Sequence, residues 1–289
     1  MKKVLVILLT LIIGSVSVSS KEYYKDTCKA IESGNLKKAE TLLKKWDRET
    51  EKDAHYYICW FNYYYFTAQT KPVEDKSEAI ENKRKTKNIR AGKIPDPEIM
   101  KKGITYLNQG IEKYPDRLDL YTTKHGALFE VRLLNELVDS ASDMLKTSKE
   151  IDNKWNWEEG PYEDGKIGLM VELDKVFTSL GQFLETTQDK YKALIEEEYS
   201  LYPEESVLAG HKGYYLIYVN QYKDAVVWLE KSYNAGNHDD RLVALLAIIN
   251  EQELKDIKSA IKWYDILKDT KNERLHFTAL QALYRLKAL

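Results

Sequence analysis

Turn-forming residues are scarce in this chain of 289 residues, which contains thirteen glycines and six prolines. Average usage of these two residues together is roughly 12%, and this chain falls well below it. Folds built from many hairpins and tight turns need these residues at fixed positions. The shortage therefore argues against an all-β protein and predicts a mostly helical one.

An excess of charge of one sign is also missing. Lysine and arginine number 44 against 46 aspartates and glutamates, which leaves a formal net charge of −2. A general nucleic-acid-binding protein needs a basic surface, so this class is excluded. Hydrophobic residues at 43% and charged residues at 31% describe a globular chain rather than a disordered one.

Motifs for catalysis and metal binding are sparse. No Gly-x-Ser-x-Gly elbow occurs, and two cysteines without paired histidines cannot make a structural zinc site. The segment from Gly160 to Lys166 spells a phosphate-loop motif, but Ile167 stands where the magnesium-binding Ser or Thr belongs. The histidines show no metal-binding spacing; they are His55, His125, His211, His238 and His276. We therefore predict no catalytic residue, no metal and no cofactor.

One long apolar run is present, at the N-terminus. Lys2 and Lys3 precede Val4–Ile13, which is apolar at all but one position, and small residues follow over Gly14–Ser20. This order is typical of a secretory signal peptide, and the apolar run is too short for a spanning helix. No cysteine follows the small residues, which disfavours a lipid anchor. We expect residues 1–20 to be a signal peptide, and the mature chain to be secreted or periplasmic without stable membrane insertion.

Export would change how the two cysteines behave. Cys28 and Cys59 would lie in an oxidising compartment, where a disulfide is allowed. Both fall on predicted helices, and bridging requires their Cα atoms to lie within about 7 Å of each other. The alternative is that both pack as small buried residues, and the sequence leaves the two open.

A repeated pattern runs along the chain. Four segments begin with a polar or glycine turn, continue with a small residue at position 39, 103, 225 or 260, and place bulky residues a turn further on. The last two small residues are 35 positions apart, close to a helix-turn-helix repeat of about 34 residues. A small residue lets two helices approach, and the bulky residues fill the groove between neighbours. The bulky sets are Leu42, Leu43 and Trp46; Tyr106, Leu107 and Ile111; Trp228, Leu229 and Tyr233; and Trp263, Tyr264 and Leu267.

These segments resemble the tetratricopeptide repeat family. Gln109–Asp116 looks like the end of a second helix with its terminal Pro115, and Leu201-Tyr202-Pro203 through Trp228 looks like a terminal proline followed by a whole repeat. The resemblance implies an all-α, right-handed solenoid of antiparallel helix pairs over residues 21–289, with about six pairs and a closing helix. We place the pairs at 22–50, 54–69 with 98–114, 117–151, 166–201, 205–235 and 240–268, and the closing helix near 273–288.

A charged insertion over residues 71–97 interrupts the second pair. Acidic residues precede a basic cluster that begins at Lys83, and the segment closes with Pro95 and Pro97, which end one helix and start the next. The segment is interpreted as a solvated loop or helix extension. A docking site for an acidic partner or a membrane surface is the alternative.

A second interruption covers the loop 152–166. Trp155, Trp157 and Tyr162 stand there beside acidic residues, glycines and a proline. Exposed, these rings would form a stacking platform for a sugar or a peptide. Large aromatic side chains contribute most when they are buried, so we favour a packed plug between the third and fourth helix pairs.

The family resemblance also implies a function. Tetratricopeptide proteins commonly hold a peptide or protein on the concave surface formed by the first helix of each pair. Carrying those inward-facing positions onto this chain gives a candidate groove made of His55, Asn62, Tyr65, Asp119, Thr122, Tyr214 and Tyr218. Some of these residues could instead pack between helices. We expect an exported, non-catalytic scaffold that binds a protein or peptide. The first alternative is a carbohydrate-binding protein that uses Trp155–Tyr162, and the second is a helical glycosidase with paired acids.

Overall fold

The computed structural model describes residues 19–74, 93–158, 160–181 and 183–288. These residues form thirteen α-helices and four two-residue strands. The predicted signal peptide, apart from its last two residues, and residues 75–92 of the charged insertion lie outside the described residues. The helices are α1 (Ser20–Glu32), α2 (Leu36–Glu49), α3 (Ala54–Gln69), α4 (Pro97–Lys113), α5 (Leu118–Glu130), α6 (Leu134–Glu150), α7 (Gly165–Leu180), α8 (Leu184–Leu201), α9 (Ser206–Tyr218), α10 (Tyr222–Asn234), α11 (Asp240–Gln252), α12 (Ile257–Leu267) and α13 (Glu273–Leu286).

The predicted all-α fold of helix pairs is confirmed. Six successive pairs, from α1 with α2 to α11 with α12, and the closing helix α13 fall where the repeat pattern places them. The turns within most pairs are only a few residues long, which makes the paired helices antiparallel. Among the described residues the only strands form two small antiparallel ladders, β1 (Val73–Glu74) with β2 (Lys93–Ile94) and β3 (Asn156–Trp157) with β4 (Gly160–Pro161).

The chain divides into two compact units. Of the described residues, 19–72 and 95–110 belong to the first unit, and 73–74, 93–94 and 111–288 belong to the second. The first unit holds a ring-rich core in which Trp46 packs between Tyr23 and Tyr56 at centroid distances of 6.0 and 5.6 Å. The second unit holds a core around the buried Trp263 at its C-terminal end.

Small residues at the predicted anchor positions bring helices together. Ala39, Ala225 and Ala260 are fully buried. A β-carbon added to Gly103 would lie 3.1 Å from side-chain atoms of Phe61 and Tyr64 on α3. The anchors therefore act as predicted, because any larger side chain there would push the neighbouring helix away.

Helix ends follow local sequence signals. Pro97 opens α4, while Pro115 and Pro203 follow the ends of α4 and α8, as the sequence predicts. The first helix begins slightly earlier than predicted, at Ser20, because Ser19 and Glu22 form a reciprocal capping box.

Candidate functional site

A groove of about 1060 Å³ lies in the second unit, along the first helices of three successive pairs, α7, α9 and α11. Two of the residues proposed from the sequence, Tyr214 and Tyr218, line it from α9. Its volume is at the upper end of the range for sites that bind ligands. The remaining apolar lining consists of Ile167, Met170, Val171, Phe177, Tyr191, Val207, Tyr215, Ile217 and Leu245.

The α7 wall of the groove presents apolar side chains to solvent. Ile167 and Val171 are one helical turn apart on α7, and both are exposed, Val171 to 47%. Exposed aliphatic side chains next to a concave surface mark a place where an apolar partner can be buried. The wall therefore offers contact area that the described residues of the chain do not cover.

His211 forms part of the groove and carries a buried positive charge. Its ring stacks on Phe177 with centroids 4.1 Å apart. Its Nδ1 lies 3.1 Å from Oε2 of Glu198, and its Nε2 lies 3.5 Å from Oδ1 of Asp174. Burial by itself would lower the pKa of His211, but the two carboxylates outweigh burial and raise this pKa to about 9. The ring of His211 is thus protonated, and carries a positive charge, at neutral pH.

The charges that line the groove balance each other. Four carboxylates stand against four cations when His211 is counted as charged. Most are engaged within the chain: Lys166 pairs with Glu205, and both guanidinium contacts of Arg241 go to Asp239, at 2.9 and 3.2 Å. A groove with an apolar lining and no net charge favours an uncharged or mixed-charge segment of a partner over a highly charged one.

Tyr214 and Tyr218 give the groove its mixed apolar and polar character. Both side chains are half-buried, and burial raises the pKa of Tyr214 to about 12, so its hydroxyl stays neutral. A tyrosine supplies a large apolar face together with one hydroxyl and only two side-chain torsions to fix. These two residues therefore suit recognition of another chain.

Asp119 and Thr122 lie on α5, also in the second unit, but neither lines this groove. Asp119 is buried and forms a two-bond ion pair with Arg117 at 2.6 and 2.8 Å. Thr122 is placed next to Glu172 of α7, a buried carboxylate whose Oε1 lies 2.9 Å from Nδ1 of His125. Asp119 is therefore paired with a neighbour in the sequence, while Thr122 lies against a buried carboxylate of α7.

The other three predicted residues, His55, Asn62 and Tyr65, belong to α3 in the first unit. The His55 ring packs on Tyr24 at 4.5 Å, and Tyr65 packs on Phe61 at 5.8 Å. All three predicted residues are half-buried. Their contacts are therefore partly those of residues packed between helices, which is the alternative to a groove position given by the sequence.

The aromatic loop folds back onto the helices. Trp155 is 1% exposed and meets Tyr121 of α5 edge to face at 5.7 Å, so it has no face available for stacking on a ligand. Trp157 is 36% exposed, and its ring contacts that of Tyr162 at 5.8 Å. Tyr162 in turn lies against the backbone of Gly168 on α7. The loop therefore has the packed form favoured from the sequence, with Trp157 as its exposed ring.

Sequence reasoning missed the groove residues of α7 and α11. The sequence pattern predicts this region as a helix pair over 166–201 but assigns no face to its first helix. One signal was available: Ile167, Val171 and Asp174 follow the i, i+4, i+7 spacing of a single helical face. The same spacing would also suit a face buried in the core, so it identifies a face without telling what covers it.

In the described part of the chain, no group of three or more His, Cys, Asp or Glu side chains is arranged to hold a metal ion. Within the same residues, no helix combines the length and the apolar character that crossing a bilayer requires.

This chain is similar to several solved structures of other proteins. No protein-family model matches it, and no curated protein sequence matches it. It is similar to a thermophilic TPR protein of Thermus thermophilus, at 12% identity over 64% of this chain and 90% of that one with a TM-score of 0.40. It is also similar to PilF of Pseudomonas aeruginosa, at 14% identity over 91% and 96% with a TM-score of 0.41. A third is the TPR2AB domain of yeast Sti1 in its pHSP90 complex, at 10% identity over 92% and 98% with a TM-score of 0.31.

The helices themselves define the class of this protein. It is an all-α protein built from successive antiparallel helix pairs, with a groove along the first helices of three successive pairs in its second unit.

Proposed function

We propose that this protein is an exported, non-catalytic scaffold that binds a protein or peptide segment in the groove formed by α7, α9 and α11. The observation that carries the proposal is the open groove itself, with exposed aliphatic side chains on one wall and half-buried tyrosines on another. The apolar signal-like run at the N-terminus supports export to the periplasm or the exterior.

The state of the groove carboxylates supports a non-catalytic role. A glycosidase needs one carboxylic acid that holds its proton near neutral pH, and so a raised pKa. In the groove, the ring of His211, whose Nε2 lies 3.5 Å from Oδ1 of Asp174, lowers the pKa of Asp174, and the hydrogen bond to Arg241 lowers the pKa of Asp239. Glu205 is paired with Lys166. Asp174 and Asp239 are therefore suited to act as fixed negative charges rather than as proton donors.

The test uses one substitution inside the groove and a matched one outside it. Val171→Asp places a charge on the groove wall, and Val227→Asp makes the same change on α10, where Val227 is 63% exposed and does not line the groove. Peptides are selected from a displayed random library on the unmodified protein, and their affinities for both variants are measured by calorimetry. Burying an unpaired carboxylate against an apolar ligand costs a few kcal/mol.

We expect selected peptides to bind the unmodified protein and the Val227→Asp variant equally, and to bind the Val171→Asp variant at least about tenfold more weakly. The groove would be rejected as the binding site if both variants lost affinity for the selected peptides equally, or if neither substitution changed that affinity.

A further inference from the structure

The closing helix α13 carries two apolar faces, and only one of them is packed. Its inner face is buried against the core through residues that include Ala279, Ala282 and Leu283. Its outer face exposes Phe277 to 61% and Tyr284 to 84%.

The exposed residues form a continuous stripe. Together with Leu280, which is 42% exposed, Phe277 and Tyr284 follow the 3-and-4 spacing of one helical face. Glu273 precedes the stripe by four positions, and Lys287, the C-terminal cap of the helix, follows it by three. These five residues are separated by 4, 3, 4 and 3 positions, which is the spacing of a coiled-coil seam. We call them the α13 seam.

The charges at the two ends of the α13 seam select its partner. Glu273 stands at the N-terminal end and Lys287 at the C-terminal end, where the Nζ of Lys287 also lies 3.8 Å from Oδ1 of Asp265 on α12. Pairing with an identical seam in the antiparallel sense puts Glu273 opposite Lys287 of the partner subunit at both ends. Pairing in the parallel sense would put like charges together, which is unfavourable. The seam is thus complementary to itself when one copy is reversed.

We propose that the α13 seam is a homodimer contact, in which a second copy of this chain packs its own α13 antiparallel on the first. A helix of this length spans about 21 Å, so the contact covers less than the roughly 800 Å² per partner of a standard interface. The dimer is therefore weak and forms as the concentration rises. It uses a different surface from the peptide groove and leaves that groove open.

The first test is sedimentation equilibrium of the purified protein over a wide concentration range. We expect a reversible monomer–dimer equilibrium for the unmodified protein. Leu280→Arg and Tyr284→Arg should each raise the dissociation constant at least about tenfold, because an arginine would be buried opposite the partner's apolar residues. Val227→Arg, at an exposed valine on α10, should leave the equilibrium unchanged. Circular dichroism establishes that each variant keeps its helical content.

The second test is a charge swap that only the antiparallel pairing predicts. Glu273→Lys alone and Lys287→Glu alone place like charges at both ends of the contact, so each should weaken the dimer. The double variant restores opposite charges and should recover most of the affinity of the unmodified protein. The proposal would be overturned if the unmodified protein were monomeric at every concentration, or if Leu280→Arg left the dimer dissociation constant unchanged. It would also be overturned if the double variant dimerised no more tightly than the single variants.

Discussion

Raising the pH should weaken the second unit, because His211 loses its proton. In the folded protein, the carboxylates of Glu198 and Asp174 hold the pKa of this imidazole at about 9, against 6.5 for an ordinary histidine. A group whose pKa is raised by folding contributes its full stabilisation below the unfolded pKa, and loses it as the pH rises through the folded pKa. The sensitive window therefore runs from about 6.5 to about 9.

The magnitude follows from the same two values. One pKa unit corresponds to 1.36 kcal/mol, so the shift from 6.5 to about 9 corresponds to an upper figure of about 3 kcal/mol. This is a large part of the 5–15 kcal/mol by which a typical domain is stable. Because the imidazole projects from α9 and is buried against α7 and α8, the loss should be seen first in the exchange of amide hydrogens on α9.

The assay combines a direct and an indirect measurement. NMR titration of the His211 ring gives its pKa directly. Urea unfolding, repeated between pH 6.5 and about 9, gives the free energy of unfolding, and hydrogen exchange over the same range shows which helices lose stability. His211→Gln should flatten the fall in stability across this window, and His238→Gln, at an exposed histidine, should leave it as it is. A His211 ring that titrates at or below 6.5, or a His211→Gln variant with an unchanged pH profile, would refute the reasoning.

Three further predictions concern packing, redox state and processing. Gly213→Ala should destabilise the protein by about 1–3 kcal/mol in urea unfolding, because the new β-carbon would lie 2.6 Å from a buried leucine of α10. Gly126→Ala, where nothing lies within 4 Å of the added β-carbon, should stabilise the protein by up to about 1 kcal/mol in the same experiment. The thiols of Cys28 and Cys59 hydrogen-bond to each other, which lowers the pKa of Cys28, so treatment with oxidised glutathione should join them in a disulfide. Mass spectrometry would show the loss of two hydrogens, and two independently alkylated thiols would contradict this. Protein recovered from an exporting bacterial host should lack its first 19 or 20 residues by mass, and an intact N-terminus would reject the predicted signal peptide.

The sequence predicts the helices of this protein better than it predicts the site. The helix pairs are local features: a turn, a small anchor such as Ala225 or Ala260 and bulky residues a helical turn later are all visible within a dozen positions. Tyr214 was found as a groove residue for the same reason, because its repeat has the clearest register. Local signals therefore suffice for the elements and for the faces of the best-defined repeat.

The rest of the site depends on contacts between residues that are distant in the sequence. His211 owes its charge to Glu198 on α8 and to Asp174 on α7, which lies 37 positions earlier in the sequence. Trp155 and Trp157 are two positions apart and have similar neighbours in the sequence. In the structure Trp155 is buried, where it contacts Tyr121 of α5, and Trp157 is exposed. No periodicity within a segment carries this information.

The buried pair formed by His125 and Glu172 has a consequence for how this sequence can change over time. The two residues are 47 positions apart and their side chains meet 2.9 Å apart in the interior. Removing one partner of such a hydrogen-bonded pair leaves a buried polar group unsatisfied and costs about 1–3 kcal/mol, whereas replacing both by apolar groups of the same shape can be nearly neutral or stabilising. The intermediate sequence is therefore the least fit of the three. Among descendants of this chain, the two positions should be inherited together or exchanged together, so that covariation between them would record the contact even where neither residue survives.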